Sequence, residues 1–395
     1  MSELKGSVSL SVLGIVAEYN PFHNGHLYHL RQAVEAVKPE HTFIALSGCF
    51  TQRGDLSAFL PSTRAETALR AGADAVFEIP ACWTLTDAGH YAAAAVGMLA
   101  DLGVTHLAFG TEEKDPSLLC RLADFLDSGD PVLDSLLRTK LSGGAGYPSA
   151  LSAAVSELHP EFAGLLNRPN NILALSYLRF IRKHCPQITP VFIRRVSDYS
   201  DTAVHADAPS ATAVRSALLR GDWQSVRAAV PEFVYPLLKQ DALDGCLIRP
   251  EAMSDVILWL LRTASPEAVS RLPDLSEGLE NRIRGIAGRC ETMSALLEGS
   301  ASRRYPKARI NRICARILLG SGNENVIPDR IPAAILLGIR KGTVLHSTNI
   351  GIIPKIADFR SNEAWFRYEI LSYEAAALAA GLPSGLAFRQ GVVTV

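Results

Sequence analysis

Residues 10 to 220 alternate between short apolar runs typical of buried β-strands and segments with helical spacing. Such alternation is typical of a parallel sheet whose connecting helices cover both faces. It therefore predicts an α/β fold, in which ligands bind beyond the carboxyl ends of the strands. The predicted strands are Leu10–Glu18, His41–Leu46, Ala75–Ile79, Thr105–Phe109 and Ile188–Ile193.

The strand pattern fades after about Pro231, and helical spacing dominates residues 250–264, 276–299 and 308–319. A mixed tail follows, with strands near 343–356 and a last helix from about Glu363 to Ala380. We therefore predict two domains, a sheet-containing domain over residues 1–230 and a mainly helical domain over residues 231–395.

Charge and cysteine content limit the classes of partner. The chain has 39 Lys and Arg against 40 Asp and Glu, which excludes a polybasic tail but not a local basic patch. No apolar run approaches the ~18–20 residues that cross a bilayer, so we expect no membrane partner. The seven cysteines form no C-x-x-C pair, which argues against a zinc site and favours a reducing cytoplasm. Nothing in the residues indicates an oligomeric state.

The most informative segment is Asn20-Pro21-Phe22-His23-Asn24-Gly25-His26, where the first strand ends and a helix begins. A helix N-terminus attracts phosphate through its unpaired N–H groups and its dipole. Gly25 permits close approach of a backbone or a nucleobase, and His23 and His26 can donate hydrogen bonds to charge that develops during group transfer. H-x-G-H in this position is typical of the HIGH-type nucleotidyltransferase and ligase superfamily, which attacks the α-phosphate of ATP and releases pyrophosphate.

A simpler interpretation makes His23 and His26 ordinary loop and helix histidines, because a bare H-x-G-H also arises by chance. The preceding strand, the N-P-F tripeptide and the following amphipathic helix favour the functional interpretation. No third ligand is evident nearby, so a zinc site is not indicated.

A second phosphate element is predicted at Ser210-Ala211-Thr212-Ala213-Val214-Arg215, which resembles the S-x-T-x-x-R element found late in the same superfamily. Ser210 is placed as an N-cap, Thr212 exposes its hydroxyl in the first turn, and Arg215 lies one turn further on. Together they could hold ATP phosphates at a second helix N-terminus. A capped surface helix is the alternative.

Polar residues at other strand ends are further candidates. Gln52 and Arg53 follow the second strand, where a ligand loop or a solvated surface turn would both fit. Glu18 and Asn20 end the first strand beside the histidines, which favours a role in the site. Glu78 ends the third strand, and we interpret it as structural.

Six cations fall within the fourteen residues 303–316, together with one aromatic residue, Tyr305. A solvated charged helix face is the usual explanation. In a chain of net charge −1, contacts with a phosphate backbone are the alternative, with Tyr305 stacked on an unpaired base. The cations are Arg303, Arg304, Lys307, Arg309, Arg312 and Arg316.

The run from Gly14 to Leu30, G-I-V-A-E-Y-N-P-F-H-N-G-H-L-Y-H-L, is similar to the opening of the bacterial tRNA(Met) cytidine acetate ligase family. Further blocks resemble that family in order, so that the resemblance spans nearly the whole chain and is strongest over residues 12–112. These blocks are Ser47–Gly54, Gly72–Pro80, Phe109–Glu112, Pro169–Leu173, Arg195, Ser210–Arg215 and the basic segment from Ser302 to Arg312.

The resemblance implies a Rossmann-like nucleotidyltransferase domain followed by a helical tRNA-binding domain. It also implies a reaction in which ATP and acetate form acetyl-adenylate, and the acetyl group passes to N4 of the wobble cytidine, C34, of elongator tRNA(Met). We assign His23 and His26 to the α- and β-phosphates and Thr212 and Arg215 to the pyrophosphate side, and we expect Mg²⁺ to bridge phosphate oxygens.

The resemblance also implies contacts for the nucleotide and the tRNA, with Gln52 and Arg53 as a possible acetate loop. The expected ATP-binding residues are Val16, Ala17, Glu18, Tyr19, Asn20, Pro21, Phe22, His23, Asn24, Gly25, His26, Leu27, Tyr28, His29, Gly110, Asn171 and Arg195. The expected tRNA-binding residues are Arg303, Arg304, Tyr305, Arg309 and Arg312.

Two other functions remain open from the residues alone. A small-molecule nucleotidyltransferase of coenzyme metabolism would share both phosphate elements but would need no basic second domain. A non-catalytic tRNA-binding protein would need no intact phosphate elements. Acetate itself follows from the resemblance and not from any residue.

Overall fold

The computed structural model of the chain describes residues 10–195, 209–272, 274–275, 278–302, 304–320, 328–345 and 349–395. All five predicted parallel strands are present, and each end lies within two residues of the predicted bound. Three further strands follow late in the chain. The strands are β1 (Val12–Ala17), β2 (His41–Ser47), β3 (Ala75–Ile79), β4 (His106–Thr111), β5 (Thr189–Arg194), β6 (Ala333–Ile339), β7 (Gly351–Ile353) and β8 (Val393–Thr394).

The helices cover both faces of the sheet and form a separate cluster in the later part of the chain. The helices are α1 (Asn24–Val37), α2 (Pro61–Ala71), α3 (Ala81–Thr84), α4 (Ala88–Asp101), α5 (Pro116–Asp127), α6 (Pro131–Ser142), α7 (Tyr147–Leu158), α8 (Pro169–His184), α9 (Ala211–Arg220), α10 (Trp223–Ala229), α11 (Tyr235–Leu243), α12 (Ser254–Thr263), α13 (Pro266–Ser270), α14 (Leu279–Ala287), α15 (Met293–Ser300), α16 (Lys307–Leu318), α17 (Ala364–Ala379) and α18 (Leu386–Arg389). Short 3-10 helices occupy Pro160–Phe162, Leu165–Asn167, Pro250–Met253 and Ile356–Asp358.

The strand order is β5-β4-β1-β2-β3-β6-β7, with β8 also paired to β6. The first five strands of this order run parallel, and β1 lies between β2 and β4. The direction of winding therefore reverses beside β1, since β2 and β3 extend the sheet one way and β4 and β5 the other way. A crevice forms at such a switch point, beyond the carboxyl ends of the strands. The predicted α/β Rossmann-like fold is confirmed.

The sequence pattern does not predict β6, which lies antiparallel to β3 and pairs Ile335 with Glu78. Its residues are almost all buried and apolar, so that a periodicity of two is lost. Because β6, β7 and β8 join the sheet of the first domain, residues beyond 230 contribute to that sheet as well as forming the helical part. The boundary between 230 and 231 stays a prediction, and the sheet itself crosses it.

Two apolar clusters cover the two faces of the sheet, and a third lies among α12, α14, α15 and α16. The third cluster includes Ile257, Leu261, Ile283, Leu296 and Ile310. All seven cysteines are free. Within the part of the chain that the structure describes, no helix has the length and hydropathy that would let it span a membrane.

Candidate active site

A cavity of about 610 Å³ lies at the carboxyl ends of β1, β2, β4 and β5. Its walls include the first turns of α1 and α9, so the two predicted phosphate elements meet across one space. Parallel strands bring their carboxyl ends to one edge, and this explains why residues far apart in sequence converge here. The four residues predicted to be catalytic, His23, His26, Thr212 and Arg215, all line the cavity.

The two histidines of the first element stack on each other. The ring centroids of His23 and His26 are 3.6 Å apart, and their planes differ by 21°. His23 precedes α1 in extended conformation and is buried, while His26 is half-buried in the first turn. The stack fixes both rings at the helix N-terminus, where a phosphate would bind.

All three histidines of this segment are held in the neutral form. Burial, together with the guanidinium groups of Arg195 and Arg215, lowers the pKa of His23 to about 3. Burial and neighbouring His23 hold the pKa of His26 well below its usual value. Burial and Arg195 lower the pKa of His29 to about 4, against a hydrogen bond to the backbone of Phe109. At neutral pH these rings therefore act as hydrogen-bond donors and not as cations.

The tautomer of His26 follows from its hydrogen bond. The backbone N–H of His23 donates to Nδ1 of His26 at 3.2 Å, so Nδ1 carries no proton. A neutral imidazole must then carry its proton on Nε2. His26 therefore offers an Nε2–H donor, which is the form that a phosphate oxygen needs.

Gly25 also has a packing role within the protein. A Cβ at this position would lie 3.0 Å from Cε1 and 3.1 Å from Nδ1 of His23. The missing side chain therefore makes room for the imidazole of His23. Gly25 also lines the cavity, and the close approach of a nucleobase to it stays a prediction.

The second element is a capped helix, as predicted. Oγ of Ser210 accepts a hydrogen bond from the backbone N–H of Ala213 at 3.0 Å, which caps α9. Thr212 is exposed in the first turn, and its Oγ1 accepts a hydrogen bond from Nη2 of Arg215 at 3.2 Å. Nη1 of Arg215 donates to the backbone carbonyl oxygen of Asn20 at 2.8 Å. Arg215 thus joins the end of β1 to the first turn of α9.

The loop after β2 is fastened to the end of β1. The backbone N–H of Gln52 donates to Oε1 of Glu18 at 2.8 Å, and Nε2 of Gln52 donates to the carbonyl oxygen of Thr86 at 2.8 Å. Glu18, Gln52 and Arg53 all line the cavity. Burial raises the pKa of the Glu18 carboxyl, although the Gln52 N–H, Arg215 and Arg53 oppose the shift. The Gln52 amide is thus used within the protein, and Arg53 is the member of the pair that brings a positive charge to the wall.

Most residues expected at the nucleotide lie on the cavity wall. Gly110 does so with Arg195 packed over it, since a Cβ on Gly110 would lie 3.2 Å from Cγ of Arg195. The expected residues that line the cavity are Val16, Ala17, Glu18, Tyr19, Asn20, His23, Gly25, His26, Tyr28, His29, Gly110 and Arg195.

Five expected residues do not line it. Phe22 is fully buried against Tyr19, with ring centroids 4.7 Å apart, and Leu27 packs against the core. Nδ2 of Asn24 donates to the carbonyl oxygen of Ala228 at 3.0 Å, away from the cavity. Pro21 is also absent from the wall. These residues shape the turn into α1.

Asn171 is the fifth, and its contact with the nucleotide stays a prediction. Its side chain is fully buried, and its Oδ1 accepts hydrogen bonds from the backbone N–H of Glu112 and from Oγ1 of Thr111. Asn171 therefore holds the turn after β4. The preceding residue, Asn170, lines the cavity and donates to Oε1 of Glu112.

The basic segment faces inward more than the sequence suggests. Arg312 and Arg316 are buried, Nε of Arg312 lies 3.6 Å from Oδ2 of Asp274, and Arg316 donates twice to the carbonyl oxygen of Leu85. The contact between Arg312 and tRNA stays a prediction, and the side chain is mostly buried in the free protein. Nε of Arg309 donates to the carbonyl oxygen of Asp274 at 2.9 Å.

The outer part of the segment keeps the expected surface character. Arg304 is exposed, and the guanidinium groups of Arg304 and Arg309 lie 5.8 and 5.5 Å from the ring centroid of Tyr305. Arg303 lies outside the described residues. The start of α16 also reaches the cavity, since Pro306 and Ala308 line it.

Sequence reasoning missed several residues of the cavity wall. Asp55, Tyr91 and Tyr177 line it, and Asp55 directly follows the Gln52-Arg53-Gly54 run that the sequence singles out. An acidic residue next to a recognised block was the available signal for Asp55. The two tyrosines lie on helices α4 and α8, and no local pattern points them to the site. Over the described ranges, no group of three or more His, Cys, Asp or Glu residues could hold a metal ion.

Comparison with known proteins agrees with this geometry. A family model described as HIGH Nucleotidyl Transferase matches residues 10–380. A tRNA(Met) cytidine acetate ligase of Kosmotoga olearia is 38% identical over 319 residues, which cover 78% of this chain and 75% of that protein. A second, from Acetivibrio thermocellus, is 31% identical over 370 residues and covers 89% of each chain.

Solved structures with the same overall fold include two of Thermotoga maritima TmcAL, both 28% identical and covering 98% of this chain. The apo form has a TM-score of 0.88, and the form bound with alpha-thio ATP has a TM-score of 0.85. With two phosphate elements meeting in one cavity, and with relatives matched over most of their length, the chain belongs to the HIGH nucleotidyltransferases and, within them, to the tRNA(Met) cytidine acetate ligase family.

Proposed function

We propose that this protein is an ATP-dependent ligase that acetylates N4 of the wobble cytidine, C34, of elongator tRNA(Met). Acetate and ATP form acetyl-adenylate with release of pyrophosphate, and transfer of the acetyl group to the cytidine releases AMP. The single observation that carries the proposal is the convergence of the α1 and α9 first turns on one cavity in a member of this family.

The nucleotide is placed by the donors that face the cavity. The Nε2–H of His26 and the ring of His23 contact the α- and β-phosphates. Thr212 and Arg215 contact the departing pyrophosphate. The β4 and β5 side of the cavity, with Gly110 and Arg195, receives the nucleoside. This arrangement supports in-line attack of a carboxylate on the α-phosphate, because the reacting groups are held in position beforehand.

Neutral histidines suit this step. They donate hydrogen bonds to charge that grows in the transition state, yet they do not bind the ground-state triphosphate as strongly as a cation would. Arg215 supplies the full positive charge on the pyrophosphate side. His23 and His26 donate as neutral rings because their pKa values are lowered, so the positive charge comes from Arg215.

Mg²⁺ fits this cavity as an ion that enters with ATP. The described residues contain no cluster of three or more metal-ligating groups, so a resident all-protein site is not indicated. Mg²⁺ binds readily through phosphate oxygens and waters. When bound, it would neutralise part of the triphosphate charge.

The tRNA would approach from the side of α16, whose first residues reach the cavity rim. Arg304, Tyr305 and Arg309 are the described residues that we propose for tRNA contact, with Arg303 beside them in sequence. The free cysteines and a tRNA substrate support a cytoplasmic location.

The experiment measures pyrophosphate release from ATP and acetate, with and without elongator tRNA(Met), followed by nucleoside analysis of that tRNA. N4-acetylcytidine that disappears in the His23→Ala/His26→Ala double variant is the expected result. Pyrophosphate release without modified cytidine would redirect the proposal to another acceptor. Binding of tRNA without pyrophosphate release under any condition would leave a binding protein.

A further inference from the structure

A carboxylate stands at the rim of the cavity, on the side where the basic segment approaches. Asp55 lines the cavity and is open to it. Glu18 is the other carboxylate among the described residues of the cavity wall, and it lies at the end of β1, where its Oε1 accepts the Gln52 N–H. Asp55 thus lies at the rim of the cavity, and Glu18 lies at its base.

The position of Asp55 is set by a tight turn. The backbone N–H of Thr51 donates to the carbonyl oxygen of Asp55 at 2.8 Å, and the backbone N–H of Asp55 donates to Oγ1 of Thr51 at 3.2 Å. Gly54 within the turn has φ +90°, which favours glycine. The turn therefore leaves little freedom to the Asp55 backbone.

Helix α16 braces this turn from the other side. A Cβ on Gly54 would lie 2.5 Å from the backbone nitrogen of Arg312, so the turn packs directly on the helix backbone. Nδ2 of Asn311 donates to the carbonyl oxygen of Arg53 at 3.1 Å and to Oδ1 of Asp55 at 2.7 Å. The helix that carries the basic segment thus orients the Asp55 carboxylate.

Asp55 keeps capacity for a ligand after these contacts. An ionised carboxylate has about four lone-pair sites. The hydrogen bond from Asn311 uses Oδ1. A carboxylate also accepts hydrogen bonds from the N4 amino group of cytosine, which is the pairing that proteins use to recognise that base.

We propose that Asp55 binds the N4 amino group of the acceptor cytidine and takes its proton during acetyl transfer. This inference rests on the proposed function. In the step, N4 forms a bond to the acetyl carbonyl carbon, and the bond between that carbon and the AMP phosphate oxygen breaks. AMP leaves with the electron pair of that bond, and one N4 proton passes to the Asp55 carboxylate.

Other groups on the wall are less suited to this proton. His23, His26 and His29 are on the nucleotide side, and Tyr19 and Tyr177 are held in the protonated phenol form because burial raises their pKa. Loss of hydrating water to the surrounding protein raises the pKa of the Asp55 carboxyl. The hydrogen bond from Asn311 and the charges of Arg215 and Arg53 oppose this shift. Glu18 also faces this group and interacts with it electrostatically.

The test separates the two half-reactions of the full-length protein. Acetate-dependent exchange of pyrophosphate into ATP reports adenylation, and single-turnover acetylation of elongator tRNA(Met) reports transfer. We expect Asp55→Asn to keep the exchange rate and to lower the transfer rate by about 100-fold or more, as for loss of a general base. Asp55→Glu should recover part of the transfer rate.

The pH dependence gives a readout that a structural role would not move. Wild-type transfer should decline as pH falls through the pKa of Asp55, and this decline should be absent from Asp55→Asn. Asp255→Asn, the same change at an exposed residue of α12 away from the cavity, is the matched control and should match wild type.

Three results would overturn the inference. Asp55→Asn could transfer acetyl at the wild-type rate, or it could lose exchange and transfer equally. The selective loss of transfer could instead appear in Glu18→Gln, which would assign the proton to Glu18. A wild-type protein without acetate-dependent exchange would overturn the proposed function itself, a result visible before any variant is measured.

Discussion

The guanidinium of Arg215 donates a 2.8 Å hydrogen bond from Nη1 to the carbonyl oxygen of Asn20, across 195 positions of sequence. The same side chain reaches Thr212 through Nη2. One arginine thus connects the segment of the two histidines with the second phosphate element. Preorganised charge of this kind stabilises a transition state without reorganisation during the reaction.

Arg215→Lys should weaken adenylation. A lysine has a single ammonium group and cannot reproduce the fork that contacts both Asn20 and Thr212. We expect the acetate-dependent exchange rate to fall by about 100-fold, the scale for loss of one oriented donor. Exchange measured against ATP concentration checks this. Arg220→Lys, at the exposed end of the same helix, is the control, and equal rates in the two variants would contradict the assignment.

The imidazole of His23 should remain neutral as pH falls through 6.5, the ordinary pKa of histidine, because burial and two arginines lower its pKa to about 3. His29 should behave alike down to about pH 4. A titration of the ring resonances by NMR, with His23→Ala to assign the signals, measures this. A midpoint near 6.5 for His23 would show that the free enzyme holds a cation there.

Gly54→Ala should separate the turn from α16. Two costs add at this position, the strain of φ +90° and the clash of a Cβ with backbone atoms of Asn311 and Arg312 at 2.6 and 2.5 Å. Gly103→Ala is a matched control, since Gly103 has φ +85° and a Cβ placed there would meet no atom within 4 Å. We expect Gly54→Ala to lower the free energy of unfolding by about 1–3 kcal/mol more than Gly103→Ala. Urea unfolding of both variants gives the comparison. Equal losses of unfolding free energy would show that α16 shifts to accommodate the Cβ with no loss of stability.

Glu78→Gln should reduce a pH dependence of stability. Glu78 and Glu369 are both fully buried, and the Tyr373 hydroxyl donates to Oε2 of Glu78 at 2.9 Å. Burial and the neighbouring Glu369 raise the pKa of Glu78 well above 4.5, and burial raises that of Glu369. The folded protein therefore binds more protons than the unfolded chain once pH exceeds 4.5, and stability falls as pH rises towards the folded-state pKa.

Urea unfolding over a pH series measures this effect. The decline of the unfolding free energy with rising pH should be shallower in Glu78→Gln than in wild type, because a neutral amide replaces one member of the carboxyl pair. Glu40→Gln, at an exposed position, is the control. An identical slope in wild type and Glu78→Gln would show that the pair does not retain a proton.

Two arginines of the basic segment should behave differently. Arg316→Met should lower the free energy of unfolding by about 1–3 kcal/mol, because it leaves the carbonyl oxygen of Leu85 without its donor. Arg304→Gln should leave stability unchanged, weaken tRNA binding and reduce the slope of log affinity against log salt by about one. Urea unfolding and tRNA titrations at several salt concentrations test both variants. A loss of stability in Arg304→Gln together with a loss of tRNA affinity alone in Arg316→Met would contradict the inward position of Arg316.

Local pattern was sufficient for much of the fold. The five parallel strands and the capped α9 follow from apolar runs and from Ser210, which are short-range signals. Local pattern was insufficient for β6, because a strand buried on both faces shows no alternation of apolar and polar residues. Its place beside β3 depends on residues far apart in the chain, such as Glu78 and Ile335.

The sequence by itself determined the chemistry of the site. Two histidines in the first element, and a hydroxyl and a guanidinium in the second, are typical of phosphate transfer wherever the chain places them. Tertiary structure decided which of the named residues face the ligand. It buried Asn171 and Arg312, turned Asn170 and Asp55 to the cavity, and made the histidines neutral. The physical reason is that burial and the field of distant charges arise only when separate segments of the chain are packed together.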